Sequence, residues 1–312
     1  MAHWAKAPAF TMESGLTLFS VPKPFHGLIG VIQRNAIRSW TLLRPRCEIV
    51  LFGDEEGTAA AAAEAGVLHA PNLACNEFGT PLVNDLLARA EAMAASDWLC
   101  LVNADMILPG NFVEEFARVR REFDRFMMVG RRTDLDVGEA LEFGPGWEGR
   151  LRDRARTEGK LLPPWASDYF VYRKGLFTDV PPFAIGRLAY DNWFLFKALH
   201  SGIALVDATP VLLAVHQNHG YGSLGSGEGL RASPEARRNV ELGLQQRKTS
   251  HSFSMKDVTH RLEATGIRRN RLYPLRRALW SAGTLYPIGA LLRGLARVRR
   301  RFGLSYSHWT SR

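Results

Sequence analysis

Cysteine is scarce in this chain, with three in 312 residues: Cys47, Cys75 and Cys100. Their odd number and wide spacing supply neither a disulfide framework nor a zinc pattern, which fits a reducing compartment. Long apolar runs are missing too. No uncharged stretch approaches the roughly 20 residues that span a bilayer, and Met1-Ala2-His3-Trp4-Ala5-Lys6-Ala7-Pro8 lacks the apolar segment of a secretory signal. The expected location is cytoplasmic. No internal repeat is evident. One region lacks acidic residues altogether: from Arg268 to Arg312 there are eleven arginines and no Lys, Asp or Glu. The net charge of +9 belongs to that segment, and the rest of the chain is slightly acidic. Charge so confined, with no recognised reading module beside it, argues against nucleic acid as a partner.

What is present is an ordinary globular composition, 46% hydrophobic and 23% charged, on a chain long enough to bury a large core. From Leu16 to about Ala214 short apolar runs alternate with helix-like stretches, the pattern of an α/β fold. Leu16–Val21, Glu48–Phe52, Phe126–Gly130 and Asp168–Tyr172 read as strands, as do Ile203–Val206 and Val211–Val215. Helices are expected over about Leu28–Leu43, in the alanine-rich run ending near Gly66, over Phe112–Phe123 and over Tyr190–His200. Thr80-Pro81 reads as the N-cap and first position of a further helix, whose Leu82, Val83, Leu86, Leu87, Ala90 and Met93 recur at helical spacing. Between Arg131 and Pro164 the pattern degrades into charged, glycine-containing sequence, read as an insertion or mobile loop over the site, with a solvated charged helix as the alternative.

The most informative stretch is residues 97–109, where an apolar run ends abruptly in Asn103-Ala104-Asp105. So short and apolar a run reads as a strand buried on both faces of a parallel sheet. Open α/β sheets bind ligands just beyond the carboxyl ends of such strands, which puts Asp105 where a ligand sits; the alternative is a turn aspartate before Pro109 and Gly110. Three more strand ends carry similar signals: Pro22-Lys23-Pro24-Phe25, Gly53-Asp54 and His216-Gln217-Asn218-His219.

Asn103-Ala104-Asp105, in this order with the other strand ends, resembles the Asp-x-Asp element of nucleotide-sugar-dependent glycosyltransferases with the GT-A fold, family 2-like, with Asn103 in place of the first aspartate. The resemblance covers roughly Leu16 to Tyr221. It implies a Rossmann-like, mostly parallel central sheet flanked by helices, in a catalytic domain over 1–250 with a nucleotide-binding half at about 16–130 and an acceptor half at about 131–250. A basic helical extension would occupy 251–312. The implied donor is a nucleotide-diphosphate sugar, held with a divalent cation, Mn²⁺ or Mg²⁺; the implied acceptor is a hydroxyl of a glycan or lipid-linked saccharide.

Carried over residue by residue, the resemblance gives Asp105 the cation, with His216 or His219 as the further ligand. Asn103 can hydrogen-bond but brings no charge to a metal. Pro22, Phe25, Asp54 and Asn84 become nucleotide or donor contacts, beside Asn103 and Asp105, although Asp54 reads equally as a turn residue and Asn84 and Arg89 as surface-helix residues. Asp191, opening an aromatic-rich helix, resembles the general base of inverting enzymes, and a helix N-terminus would lower its pKa; a helix N-cap aspartate with no catalytic role is the alternative. Asp168, Tyr190 and Trp193 are candidate acceptor or sugar contacts, with core packing as the alternative for the aromatic rings. The Arg-rich C-terminus, with Leu, Trp, Tyr and Ile between its arginines, fits peripheral docking on the inner face of a membrane, with a basic helix packed on the catalytic domain or in an oligomer as the alternative. A nucleotidyltransferase and a non-catalytic binding protein on a degenerate GT-A fold are the rival readings.

Overall fold

A computed structural model describes residues 15–219, 233–247 and 251–282. In chain order the elements are β1 (Leu16–Ser20), α1 (Gly27–Thr41), β2 (Glu48–Phe52), α2 (Thr58–Ala65), β3 (Leu68–Ala70), α3 (Val83–Met93), β4 (Trp98–Val102), β5 (Met106–Ile107), α4 (Phe112–Glu122), β6 (Phe126–Val129) and β7 (Arg132–Leu135). There follow α5 (Trp147–Glu158), β8 (Lys160–Leu161), β9 (Tyr169–Arg173), α6 (Tyr190–His200), β10 (Ala204–Asp207), β11 (Ala214–Gln217), α7 (Pro234–Arg247), β12 (His260–Glu263), β13 (Gly266–Arg269) and α8 (Tyr273–Ala282).

Among the described residues nine strands form the central sheet in the order β13-β12-β10-β6-β9-β4-β1-β2-β3. The β1–β2, β2–β3, β1–β4, β6–β10 and β10–β12 pairs are parallel, whereas β9 runs antiparallel between β4 and β6. The alternation of side chains across each strand explains the uninterrupted apolar runs. In β4, Leu99 and Leu101 enter one core with Phe19, Leu86 and Phe194, while Trp98, Cys100 and Val102 enter the other with Leu18, Trp40 and Phe112. Both faces are thus covered by helices, which leaves the carboxyl ends of β1 and β4 as the place where polar groups gather.

A second, four-stranded sheet, β5-β11-β7-β8, sits beyond those ends. The stretch expected as a mobile loop is therefore built, because Leu135, Val137, Leu151 and Ala155 pack with Ile107 and Val215 in a third small core. The alternative reading, a charged helix with one solvated side, describes α5. Two boundaries shift. Helix α3 starts at Val83, not at Thr80-Pro81, since Pro81 and Leu82 bridge to Cys75 and Ala184. Strand β11 extends to Gln217 because pairing with β5 and β7 sets its register. The division at 250/251 also falls inside the fold: β12 continues the central sheet beside β10, and Phe253, Met255, Val258 and Leu262 are core residues.

Trp193 departs from its expected role. It is 0% exposed, its ring against Phe183 and Phe194, so it offers no face to a sugar. Trp193→Ala is expected to lower stability by about 3–5 kcal/mol in denaturant unfolding, the cost of a large core cavity.

Candidate active site

The site begins with chain geometry. After β4 the backbone turns at once, Met106 N donating to Asn103 O at 3.1 Å, so that Asp105 sits between β4 and β5. Strand β11 pairs antiparallel with β5 and parallel with β7, setting His216 opposite Met106 on one side and Asp134 on the other. Gln217, 0% exposed, locks that register: its backbone N–H and its Nε2 donate to Asp105 O at 3.2 and 3.1 Å, and Nε2 also donates to Ile32 O at 2.7 Å. Its Oε1 accepts from Asn35 Nδ2 at 3.0 Å.

The result is one corner holding Asp105, His216 and His219. His219 Nε2 lies 2.9 Å from Asp105 Oδ2 and His216 Nε2 3.6 Å from the same oxygen; one ligand atom from each residue falls within 4.8 Å of the others. Asp105 Oδ1 is buried with no hydrogen-bond partner. Burial would push the Asp105 carboxyl up, but hydrogen bonds and charge from His216 and His219 outweigh it and hold the group well below the usual carboxylate range. Burial would likewise lower His216, yet Asp105 and Asp134 together push it up to about 9. His216 Nδ1 lies 3.1 Å from Asp134 Oδ1, a carboxylate behind an imidazole whose Nε2 faces the corner. One carboxylate and two imidazoles, with an oxygen left unsatisfied, fit a divalent cation.

Asn103 lies next to this corner but serves another residue. Its Nδ2 donates to Asp168 Oδ1 at 2.8 Å and its backbone N–H to Asp168 O at 2.9 Å. Asp168 Oδ2 takes Arg132 Nη1 at 2.6 Å, and Arg132 Nε lies 2.9 Å from Asp134 Oδ1. An aspartate at 103 would set two carboxylates against each other there; the amide supplies a donor instead.

A cavity of about 560 Å³ opens over these groups. It brings together Pro22, Asn103, Asp105, Asp168, Tyr190, Asp191, His216 and His219. Asp191 stands in the first turn of α6, where Asn192 N donates to its Oδ1 at 2.8 Å. The expected lowering of its pKa is reversed: burial, with Asp168 adding to it, outweighs the backbone N–H and pushes Asp191 up to about 6. Tyr190 is buried against Phe194 and shows the cavity only part of its ring.

Four expected contacts lie outside the lining. Asp54 accepts from Asn72 N at 2.6 Å, and its neighbour Glu55 lines the cavity instead. Phe25 packs on Gly57 and under the Arg34 guanidinium, 5.2 Å from the ring centroid. Asn84 sits on α3 with Oδ1 buried and unpartnered, and Trp193 is core. Nearby Arg89 donates to Pro71 O at 2.7 Å.

Three cations in the lining escaped the sequence reading. Lys23, whose pKa burial lowers while Asp105 raises it, hides between two prolines, in a turn fixed by Gln33 Nε2 donating to Lys23 O at 2.8 Å. Arg132 lies in the stretch read as an insertion or mobile loop over the site, where no single residue stands out. Arg187 pairs with Glu235 at 2.8 Å, and Glu235 also accepts from Asn76 Nδ2 at 2.7 Å, so one carboxylate ties Arg187 to the turn at Asn76. Only the Pro-Lys-Pro spacing at a strand end carried any signal of these.

Calorimetric titration with metal alone is expected to show Mn²⁺ or Co²⁺ binding more tightly than Mg²⁺, because imidazole nitrogens favour transition ions. Asp105→Asn is expected to abolish that binding, having lost the carboxylate charge that the described residues bring to the corner.

No protein-family model matches the chain, and no curated protein matches its sequence. Solved structures do match. S. aureus TarS, in complex with UDP-GlcNAc, is similar with a TM-score of 0.50 at 11% identity, over 74% of this chain and 66% of that one. M. tuberculosis glucosyl-3-phosphoglycerate synthase is similar at 15% identity over 78% of this chain and 88% of that one, with a TM-score of 0.48. The likeness to TarS is one of architecture, and the chain has the α/β GT-A fold.

Proposed function

We propose that this protein is a metal-dependent glycosyltransferase that moves a sugar from a nucleotide-diphosphate donor to a hydroxyl of a glycan or lipid-linked acceptor. The observation that carries the reading is the meeting, in one cavity at the carboxyl ends of β1 and β4, of a cation corner (Asp105, His216, His219) with a carboxylate poised near neutrality (Asp191). The likeness in fold to TarS, itself solved with UDP-GlcNAc, supports the donor class.

Asp105, His216 and His219 would hold a divalent cation, Mn²⁺ or Mg²⁺, which supplies Lewis-acid charge to the departing diphosphate. Lys23 and Arg187 add fixed positive charge to the cavity wall, where it can meet phosphate oxygens without reorganisation. Asp191 takes the proton of the acceptor hydroxyl as its oxygen attacks the anomeric carbon. A base with a pKa of about 6 is ionised at neutral pH yet close enough to it to accept a proton effectively. Asp168, its two carboxylate oxygens engaged by Asn103 and Arg132, suits a positioned acceptor of sugar hydroxyls rather than a base. Nucleotidyl transfer fits less well, because the turn after β1 is Pro22-Lys23-Pro24-Phe25 and not a glycine-rich phosphate loop.

A panel of nucleotide sugars incubated with Mn²⁺ should reveal one donor that is slowly hydrolysed and transferred; no turnover of any donor, with or without Mn²⁺, would leave the degenerate binding protein as the better reading. Asp191→Asn is expected to lower kcat by about 10²–10⁴ with donor affinity unchanged. The wild-type rate should climb as pH rises through about 6, the pH at which Asp191 becomes the base. The sign for stability is opposite. Because folding raises this pKa, ionised Asp191 costs stability progressively from its unfolded value up to about pH 6 and constantly above it. Urea unfolding at neutral pH should therefore find Asp191→Asn more stable than wild type.

A further inference from the structure

The arginine-rich end of the described chain takes no part in the cavity. Strand β13 closes one edge of the central sheet, antiparallel to β12. The turn into α8 is tied down by Asn270, whose backbone N–H donates to Thr259 O and whose Nδ2 donates to Val258 O, each at 2.8 Å. An ion pair to a buried carboxylate then anchors the helix. Asp257 is 0% exposed and lies 3.1 Å from Arg276 Nη2 and 3.2 Å from His251 Nε2.

The outward side shows the reverse of ordinary burial. Leu272 is 65% and Leu275 60% exposed, among the most exposed large hydrophobics of the described residues. They stand three positions apart in a helical turn that Arg276 N closes on Leu272 O at 3.0 Å. Arg268, Arg269, Arg271 and Arg277 belong to the same short segment, and all four are exposed. Arg268 pairs with Glu263 at 2.7 Å; among the described residues the other three make no ion pair with a carboxylate. No acidic residue follows Glu263 in the sequence, and six more arginines lie between Arg293 and Arg312.

We infer that this face docks on an anionic lipid surface, Leu272 and Leu275 entering the headgroup boundary while the arginines meet lipid phosphates. Both halves of the pattern are needed for that partner. A nucleic acid would use the arginines and leave the leucines in water. A second copy of the chain would bury the leucines but set arginine against arginine. The docking does not depend on the proposed reaction, but it bears on it. Met255 N donates to Pro164 O at 2.8 Å and Asn192 Nδ2 donates to Phe253 O at 2.8 Å, so the segment that anchors α8 also braces the residue beside Asp191.

Flotation of the full chain with vesicles of phosphatidylcholine, alone or mixed with phosphatidylglycerol, tests this. Binding is expected to the mixed vesicles only and to weaken with added salt. Leu272→Asp/Leu275→Asp should lower the partition coefficient about tenfold or more, and Arg269→Gln/Arg271→Gln/Arg277→Gln should reduce the salt dependence. These side chains are exposed, so thermal unfolding and Mn²⁺ binding, measured on the same samples, should match wild type. Equal binding of the leucine variant and wild type would overturn the inference, as would equal binding to neutral vesicles. So would displacement from mixed vesicles by a duplex oligonucleotide, or self-association in solution that the leucine variant abolishes. Mn²⁺ binding without turnover of any nucleotide sugar would count against the transfer reaction and leave the docking intact.

Discussion

Everything in the site depends on a single carboxylate being kept ionised in a place where water is scarce. Asp105 is drawn out of solvent by the β4–β5 turn, and the cost of that burial is met by two imidazoles within reach of one of its oxygens. The compensation is mutual, since His216 is held protonated by Asp105 and Asp134. A divalent cation would take the place of those protons, so the same contacts that stabilise the corner without metal preorganise it for metal. Removing the charge of Asp105 would leave two histidines with no reason to converge.

The scaffold serves this corner through register. The four-stranded sheet exists because β11 lies between β5 and β7, and Gln217 fixes that alignment by filling the backbone of Asp105 and of α1 at once. A slip of one residue would turn His216 away and bring an apolar neighbour to the corner. The acidic and basic groups beyond the corner form a chain, Asn103 to Asp168 to Arg132 to Asp134 to His216, in which each charge is answered by the next. Asp191 stands outside that chain, and burial, with the charge of Asp168 adding to it, raises its pKa.

Much of this was legible in the sequence, for physical reasons that also explain what was not. The apolar run ending in Asn103-Ala104-Asp105 announced a strand buried on both faces with a polar group at its carboxyl end, and the structure places Asp105 at that end. His216 and His219 could be named because a short apolar strand led into them. Asp134 and Arg132 could not, since a two-sided role hidden in a charged stretch leaves no periodicity to read. The direction of the Asp191 shift was missed because helix position was weighed without burial, and burial is a property of the fold. Trp193 and Asp54 carry the right residue type at the right element, but core packing and a backbone turn claim them first. The arginine-rich tail beyond residue 282 lies outside the described residues, and the reading of it rests on the segment before.

If the corner built on Asp105 is where a diphosphate meets a cation, nucleotide affinity there depends on the metal. Calorimetric titration of the full chain with nucleoside diphosphates, with and without saturating Mn²⁺, measures that dependence. One nucleoside diphosphate is expected to bind with Mn²⁺ present and to fall below detection without it. Equal affinity in the presence and absence of the ion would remove the corner from any role in holding the diphosphate.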